Sequence, residues 1–211
     1  MAFIVLDVEG TADNSVYDFG FVVIDHNEVV ETYNAIIAEV WNDKARMNSA
    51  YYADKLPRYG EVHPVPFIEA WNVFNTAIKS YNIRTVWAWN VSYDETALNN
   101  TIARLSNGFI NKFCPTVKWR DAWDYVAACY CSTRKYAAWT VNNDFLTPRN
   151  YPRTSAETVY RYLFGDISFN EDHMALSDAL IESQMIMKAL KCHTKGVQTR
   201  GRGWTYTVRQ A

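Results

Sequence analysis

Residues 2–40 constrain this chain more than anything that follows. They hold three extended stretches, "AFIVLDVEG", "VYDFGFVVID" and "EVVETYNAIIAEV", separated only by "TADNS" and by His26-Asn27. The first is an apolar run closed by a glycine, which reads as a buried strand. The second places Val16, Phe19, Phe21 and Val23 in rough alternation, the pattern of a strand with one face inward. Connections this short leave no room for a crossover helix, so the three strands are expected to form an antiparallel meander.

Beyond residue 60 the period changes. Phe67, Trp71, Phe74 and Ile78 recur at helical spacing behind Pro66. "TVWAW" reads as a fourth strand, and "SYDETALNNTIARL" as a helix with Ser92 as N-cap and Glu95 completing a capping box. "WRDAWDYVAACYC" reads as a further helix, and "SAETVYRYLFG" as one that ends at Gly165. The last helix is expected from about Met174 to Leu190. Residues 132–153 read as a long loop, and long ordered loops are usually functional. Strands first, then strands mixed with helices, predict an α/β fold with a central mixed sheet flanked by helices. No repeat and no linker divides the chain. It is read as one domain over 1–195 with a basic tail over 196–211.

Composition narrows the class. The chain has 211 residues, 49% hydrophobic and 21% charged, which is globular and enough for a sizeable core. The apolar start "MAFIVL" stops at Asp7, too short for a signal peptide, and nothing approaches a membrane span. A cytoplasmic protein is expected. Cys114, Cys129, Cys131 and Cys192 are too few for a disulfide scaffold. A zinc site from Cys129, Cys131, Cys192 and His193 would have poor spacing, and buried free thiols are the expectation. Residues 132–155 carry four basic residues against one acidic, and residues 188–211 carry six against none. The net charge is −2, so the remainder is strongly acidic. An acidic body with two basic segments fits a polyanionic partner, though a solvated loop and a tail would look the same.

The carboxylates carry the chemistry. Asp7 and Glu9 stand two apart on the first strand, on one face and about 7 Å apart. Two buried like charges are costly unless something neutralises them, and a hard divalent cation is the usual solution. Asp94 follows the fourth strand at the start of a helix, where it could equally serve the helix dipole. Asp178 lies on the last helix. His173 precedes it by five residues, about 140° of helical rotation, so the two share a target only if His173 sits in the entry loop and turns back. Four convergent carboxylates could hold two ions about 4 Å apart, as in phosphoryl displacement. A histidine of pKa ~6.5 beside them could take a proton from water.

In this order, Asp7-Val8-Glu9-Gly10-Thr11, then Asn90-Val91-Ser92-Tyr93-Asp94 with Leu98, then His173-Met174-Ala175-Leu176-Ser177-Asp178-Ala179 resemble the motifs of the DEDDh family of 3′→5′ exonucleases, the proofreading-subunit and oligoribonuclease type. The resemblance runs from residue 7 to 182. His173 selects the histidine variant, because no tyrosine stands four before Asp178. Gly10 departs from the hydroxyl residue or methionine of many relatives, and residues 132–153 match no motif.

The resemblance implies a ribonuclease-H-like fold and two Mg²⁺ or Mn²⁺ ions. Asp7, Glu9 and Asp178 would be direct ligands, and Asp94 would act directly or through water. It implies His173 as general base and nucleoside 5′-monophosphates as products. Gly10, Thr11, Asn90 and Tyr93 are expected to line the substrate, and Trp89, with Tyr136, Trp139 and Tyr151 from the basic segment, are further stacking candidates. The expected partners are single-stranded DNA or RNA 3′ ends, with a homodimer or a polymerase partner left open. Two other readings stay in view: a catalytically silent nucleic-acid-binding module of the same fold, and a metal-dependent transferase or phosphatase of another fold.

Overall fold

A computed structural model describes residues 2–105 and 117–192. The meander forms as expected. β1 (Phe3–Gly10), β2 (Val16–Asp25) and β3 (Glu28–Ile36) pair antiparallel, and β4 (Thr85–Ala88) joins the other edge of β1 in parallel. A fifth strand, β5 (Lys118–Asp121), extends the sheet in parallel beside β4, giving the order β3-β2-β1-β4-β5.

Helices cover both faces. Short turns α1 (Ala38–Trp41) and α2 (Lys44–Met47) and a 3₁₀ helix (Ala53–Tyr59) lead to α3 (Phe67–Ser80). Then follow α4 (Val91–Leu105), α5 (Ala122–Tyr130), α6 (Arg134–Asn142), α7 (Ala156–Phe164) and α8 (Ala175–Leu190). Ile4, Leu6, Val8, Phe19 and Phe21 pack with Phe67, Phe74 and Leu98 on one side. Phe3, Val5 and Val22 pack with Val126, Val159, Met185 and Ile186 on the other. Each such aliphatic or aromatic side chain contributes about 1.5–3 kcal/mol when fully buried. The alternation of β1 thus puts Phe3, Val5, Asp7 and Glu9 on the α8 side. No helix among the described residues is long and apolar enough to cross a membrane.

Three local expectations are corrected. "WRDAWDYVAACYC" is two elements, because Lys118–Asp121 finds a free edge on β4 and the Asp121 side chain, accepting from Asp124 N, caps α5. Ser92 is not an N-cap: α4 already starts at Val91, and Asn90, at φ +61°, makes the turn. Residues 132–153 are not simply a loop. Thr133 accepts from Tyr136 N and starts α6, whose Tyr136, Ala137 and Thr140 are buried. Tyr136 packs on Tyr162 and donates to the Arg153 carbonyl, so it is a core residue and not a stacking surface. The basic tail over 196–211, Cys114 and His193 lie outside the described residues.

Candidate functional site

The start of α8 is held by β2. A Cβ added to Gly20 would lie 2.3 Å from Leu176 N and 2.5 Å from Ala175 C, so only glycine lets the helix come this close. Two residues earlier, the buried Asp18 accepts from Ala175 N at 2.9 Å, from Tyr59 Oη at 2.8 Å and from Asn34 Nδ2 at 2.6 Å. Asp18 and Gly20 together fix where α8 begins and therefore where Asp178 sits.

At the C-terminal end of β1 this brings the expected residues together. Asp94 enters from α4, 1% exposed, and its Oδ1 accepts from Val8 N at 3.2 Å. Glu9 and Asp178 are 5% and 6% exposed. The His173 backbone, at φ +53°, turns the ring back over the first turn of α8. Its Nδ1 lies 3.9 Å from Asp178 Oδ2. Glu9, His173 and Asp178 each offer a ligand atom, all within 4.8 Å of one another. Among the described residues the cysteines make no comparable group, and Cys129, Cys131 and Cys192 form no disulfide.

The cluster is held under electrostatic load. Burial, with the Asp18 and Glu171 charges, pushes Asp7 up to about 8. Burial and the Asp7 charge push Glu9 up to about 10 and Asp178 up to about 9. Burial and Asp7 also raise Asp94. Asp7 Oδ2 and Asp178 Oδ1 are enclosed and meet no donor among the described residues. Enclosed carboxylate oxygens without donors, each made costly by its neighbours, are what a divalent cation relieves, and all-oxygen donors suit Mg²⁺ or Mn²⁺. The residues fit such a group. His173 moves the other way: burial and the nearby Lys55 charge lower its pKa.

The expected substrate-lining residues sit around the same strand end. A bulge interrupts the β1–β2 register at Glu9/Gly10, and the Gly10 carbonyl accepts from Tyr51 N at 3.2 Å. A Cβ at Gly10 would lie 2.6 Å from Tyr93 Oη, so the glycine lets the Tyr93 hydroxyl approach the strand end closely. Tyr93 is half-buried, its ring 6.1 Å from that of the exposed Tyr51. Asn90 is half-buried and its carbonyl accepts from Tyr93 N. Thr11 is buried, its hydroxyl donating to Asp13 Oδ1 and bonding with Ser15. Trp89 and Trp139 lean on the α8-side core, while Tyr151 is exposed.

The sequence reading missed several residues. Asp18 lies opposite Glu9 in the β1–β2 register, and the strand pattern alone could have suggested a second acid there. Glu182 lies four residues after Asp178, on the same helical face, 2% exposed, with Oε2 unpartnered. Tyr52 stacks on His173, and no motif marks it.

No protein-family model matches the chain, and no curated protein sequence matches it. Solved structures do. A full-length 3′-exonuclease matches with TM-score 0.60 and 13% identity, over 100% of this chain and 91% of that one. A 3′-exonuclease in a structure of 3′-end-specific recognition of the histone mRNA stem-loop matches with TM-score 0.59 and 13% identity, over 90% and 64%. Cell-death related nuclease 4 matches with TM-score 0.56 and 13% identity, over 90% and 63%. The chain spans less than two thirds of the length of these last two. At such identity the likeness is one of fold: a ribonuclease-H-like sheet and helices, as the family resemblance implied.

Proposed function

We propose that this chain is a metal-dependent 3′→5′ exonuclease that hydrolyses single-stranded DNA or RNA ends to nucleoside 5′-monophosphates. The observation that carries the reading is convergence. Asp7 and Glu9 from β1, Asp94 from α4, and Asp178 with His173 from the start of α8 meet at one strand end, although 171 positions separate the first from the last in the 211-residue chain. The fold shared with exonucleases and the ordered motifs support it.

Asp7, Glu9 and Asp178 would hold two Mg²⁺ or Mn²⁺ ions, with Asp94 beside them. When bound, such ions activate water and stabilise the departing oxygen of an in-line displacement. The chain's own residues do the rest. Burial and Lys55 favour the neutral imidazole of His173, so it can accept a proton at neutral pH. With Nδ1 turned to Asp178, Nε2 is the nitrogen left to take it. Asp94 ties the start of α4 to the Val8 amide, so a ligand shift there is felt along β1. Tyr93 and Tyr51 supply aromatic surface at the strand end for an unpaired base, at ~1–3 kcal/mol each.

The test is a time course on matched single-stranded DNA and RNA labelled at the 5′ end, with and without a 3′ block, in Mg²⁺ and in EDTA. Stepwise shortening from a free 3′ end, lost in EDTA and in Asp7→Asn, is expected. Binding without shortening in any metal would leave the silent nucleic-acid-binding module as the reading.

A further inference from the structure

We propose that Tyr52 is a positioning residue for His173: its ring, lying flat on the imidazole, holds the plane and aim of that side chain over the carboxylates. The role assigned to His173 rests on the proposed nuclease function; the stack itself does not.

The two ring centroids are 3.8 Å apart and the planes differ by 6°. Little else holds the imidazole. His173 precedes the N-cap residue Met174, so no helical hydrogen bond reaches it, and its backbone is left-handed. Among the described residues its ring makes no hydrogen bond, and Asp178 Oδ2, at 3.9 Å, is an ion-pair neighbour beyond hydrogen-bond range. An imidazole with carboxylates of Asp178 and Glu9 nearby but no hydrogen bond to either is free to swing about χ2 unless a face is covered.

Tyr52 is itself well fixed. On one side, Thr11 and Ala50 form a bridge and Tyr51 N donates to the Gly10 carbonyl, tying the segment to the end of β1. On the other, Lys55 N donates to the Tyr52 carbonyl at 2.9 Å, and Arg58 pairs with Asp172 at 3.1 Å. Tyr59 Oη then reaches Asp18 Oδ2, the same oxygen that takes Ala175 N. The segment carrying Tyr52 is thus pinned to β1 and to both sides of the 172–175 turn, with His173 between the pins. A side chain on such a frame can hold its neighbour to the tolerance that proton transfer needs.

The experiment uses the full chain with labelled histidine. The four histidines are distinguished by loss of one signal in His173→Gln. In the metal-free protein the His173 ring protons should be shifted upfield by the tyrosine ring current, retained in Tyr52→Phe and lost in Tyr52→Leu. In turnover, Tyr52→Leu should lower kcat about tenfold with KM changed less than about threefold, and Tyr52→Phe, which keeps the ring, should restore kcat. In a His173→Gln background Tyr52→Leu should add nothing, because the two residues act as one unit. Three results would overturn the proposal: a His173 signal indifferent to Tyr52→Leu, a rise in KM rather than a fall in kcat, or an equal loss in both backgrounds, which would make Tyr52 a substrate contact. If the wild-type chain has no nuclease activity the proposed function falls, and the histidine signal alone decides the stack.

Discussion

Glu182 lies one helical turn beyond Asp178 on α8, enclosed in the core, with a carboxylate oxygen that meets no donor. Burial and then the Asp7, Asp94 and Asp178 charges raise its pKa well above the ordinary carboxylate value. Folding therefore disfavours the ionised form of Glu182, and that cost grows as pH rises above the ordinary carboxylate value. Glu182→Gln has nearly the same shape and carries no such cost. It should stabilise the metal-free protein, and increasingly so as pH rises. Urea melts of both proteins in EDTA check this, and a less stable variant would mean that Glu182 has a stabilising partner.

The same load predicts how the metal-free protein responds to pH. Asp7, Glu9 and Asp178 rise from 3.8, 4.5 and 3.8 to about 8, 10 and 9 in the folded state. The folded state then binds more protons than the unfolded one, so stability falls as pH rises. The loss begins above the unfolded values and is complete once pH passes the folded ones. Asp13, lowered to about 2 by its bonds to Thr11, Ser15 and Arg104 against a burial effect, acts oppositely, but only below pH 4. Melting temperature in EDTA should therefore decline from pH 5 to pH 10. Asp7→Asn should flatten the decline, and excess Mg²⁺ or Mn²⁺ should reverse it. A flat wild-type profile would show that the carboxylates are relieved by something within the fold.

His173→Ala should lower kcat by ~10²–10⁴ and leave metal binding largely in place, because the carboxylates remain. The wild-type rate should rise with pH as the imidazole becomes neutral. That limb should lie below 6.5, since burial and Lys55 lower the histidine's pKa from that value. It should be absent from the variant. Water activated by a metal titrates too, so the difference between the two profiles is the measurement. Identical profiles and rates would make His173 structural.

Two glycines should behave differently on replacement by alanine. At Gly20 the new methyl would meet the backbone of Ala175 and Leu176, which cannot swing aside. Gly20→Ala should cost about 1–3 kcal/mol or more and reduce activity by displacing the start of α8. At Gly10 the one contact closer than an ordinary van der Waals distance would be the Tyr93 hydroxyl, the end of a side chain, with the Ser15 carbonyl at 3.5 Å. Gly10→Ala should be milder, and milder still with Tyr93→Phe, because the ring carbon Cζ lies 3.7 Å away, an ordinary contact. Thermal melts of the three variants separate these cases.

Sequence by itself determined the parts of this protein that depend on near neighbours along the chain. Alternation and short turns specified the meander, and the helical period marked α3, α7 and α8 within a residue or two. The candidate residues Asp7, Glu9, Asp94, His173 and Asp178 were picked out by the ordered motifs that resemble an exonuclease family, and the structure brings them to one strand end. Only the tertiary structure decided the rest. Lys118–Asp121 is a strand because β4 offers it an edge, a partner that local composition cannot announce. Tyr136 is core because α6 lays it against Tyr162. Asp18, Glu182 and Tyr52 matter through contacts with residues that are distant in sequence or whose burial is set from outside their own element. Hydrogen bonds, Coulomb repulsion and ring stacking all depend on distances of a few ångströms between side chains. Those distances exist only once the sheet and α8 have closed on one another.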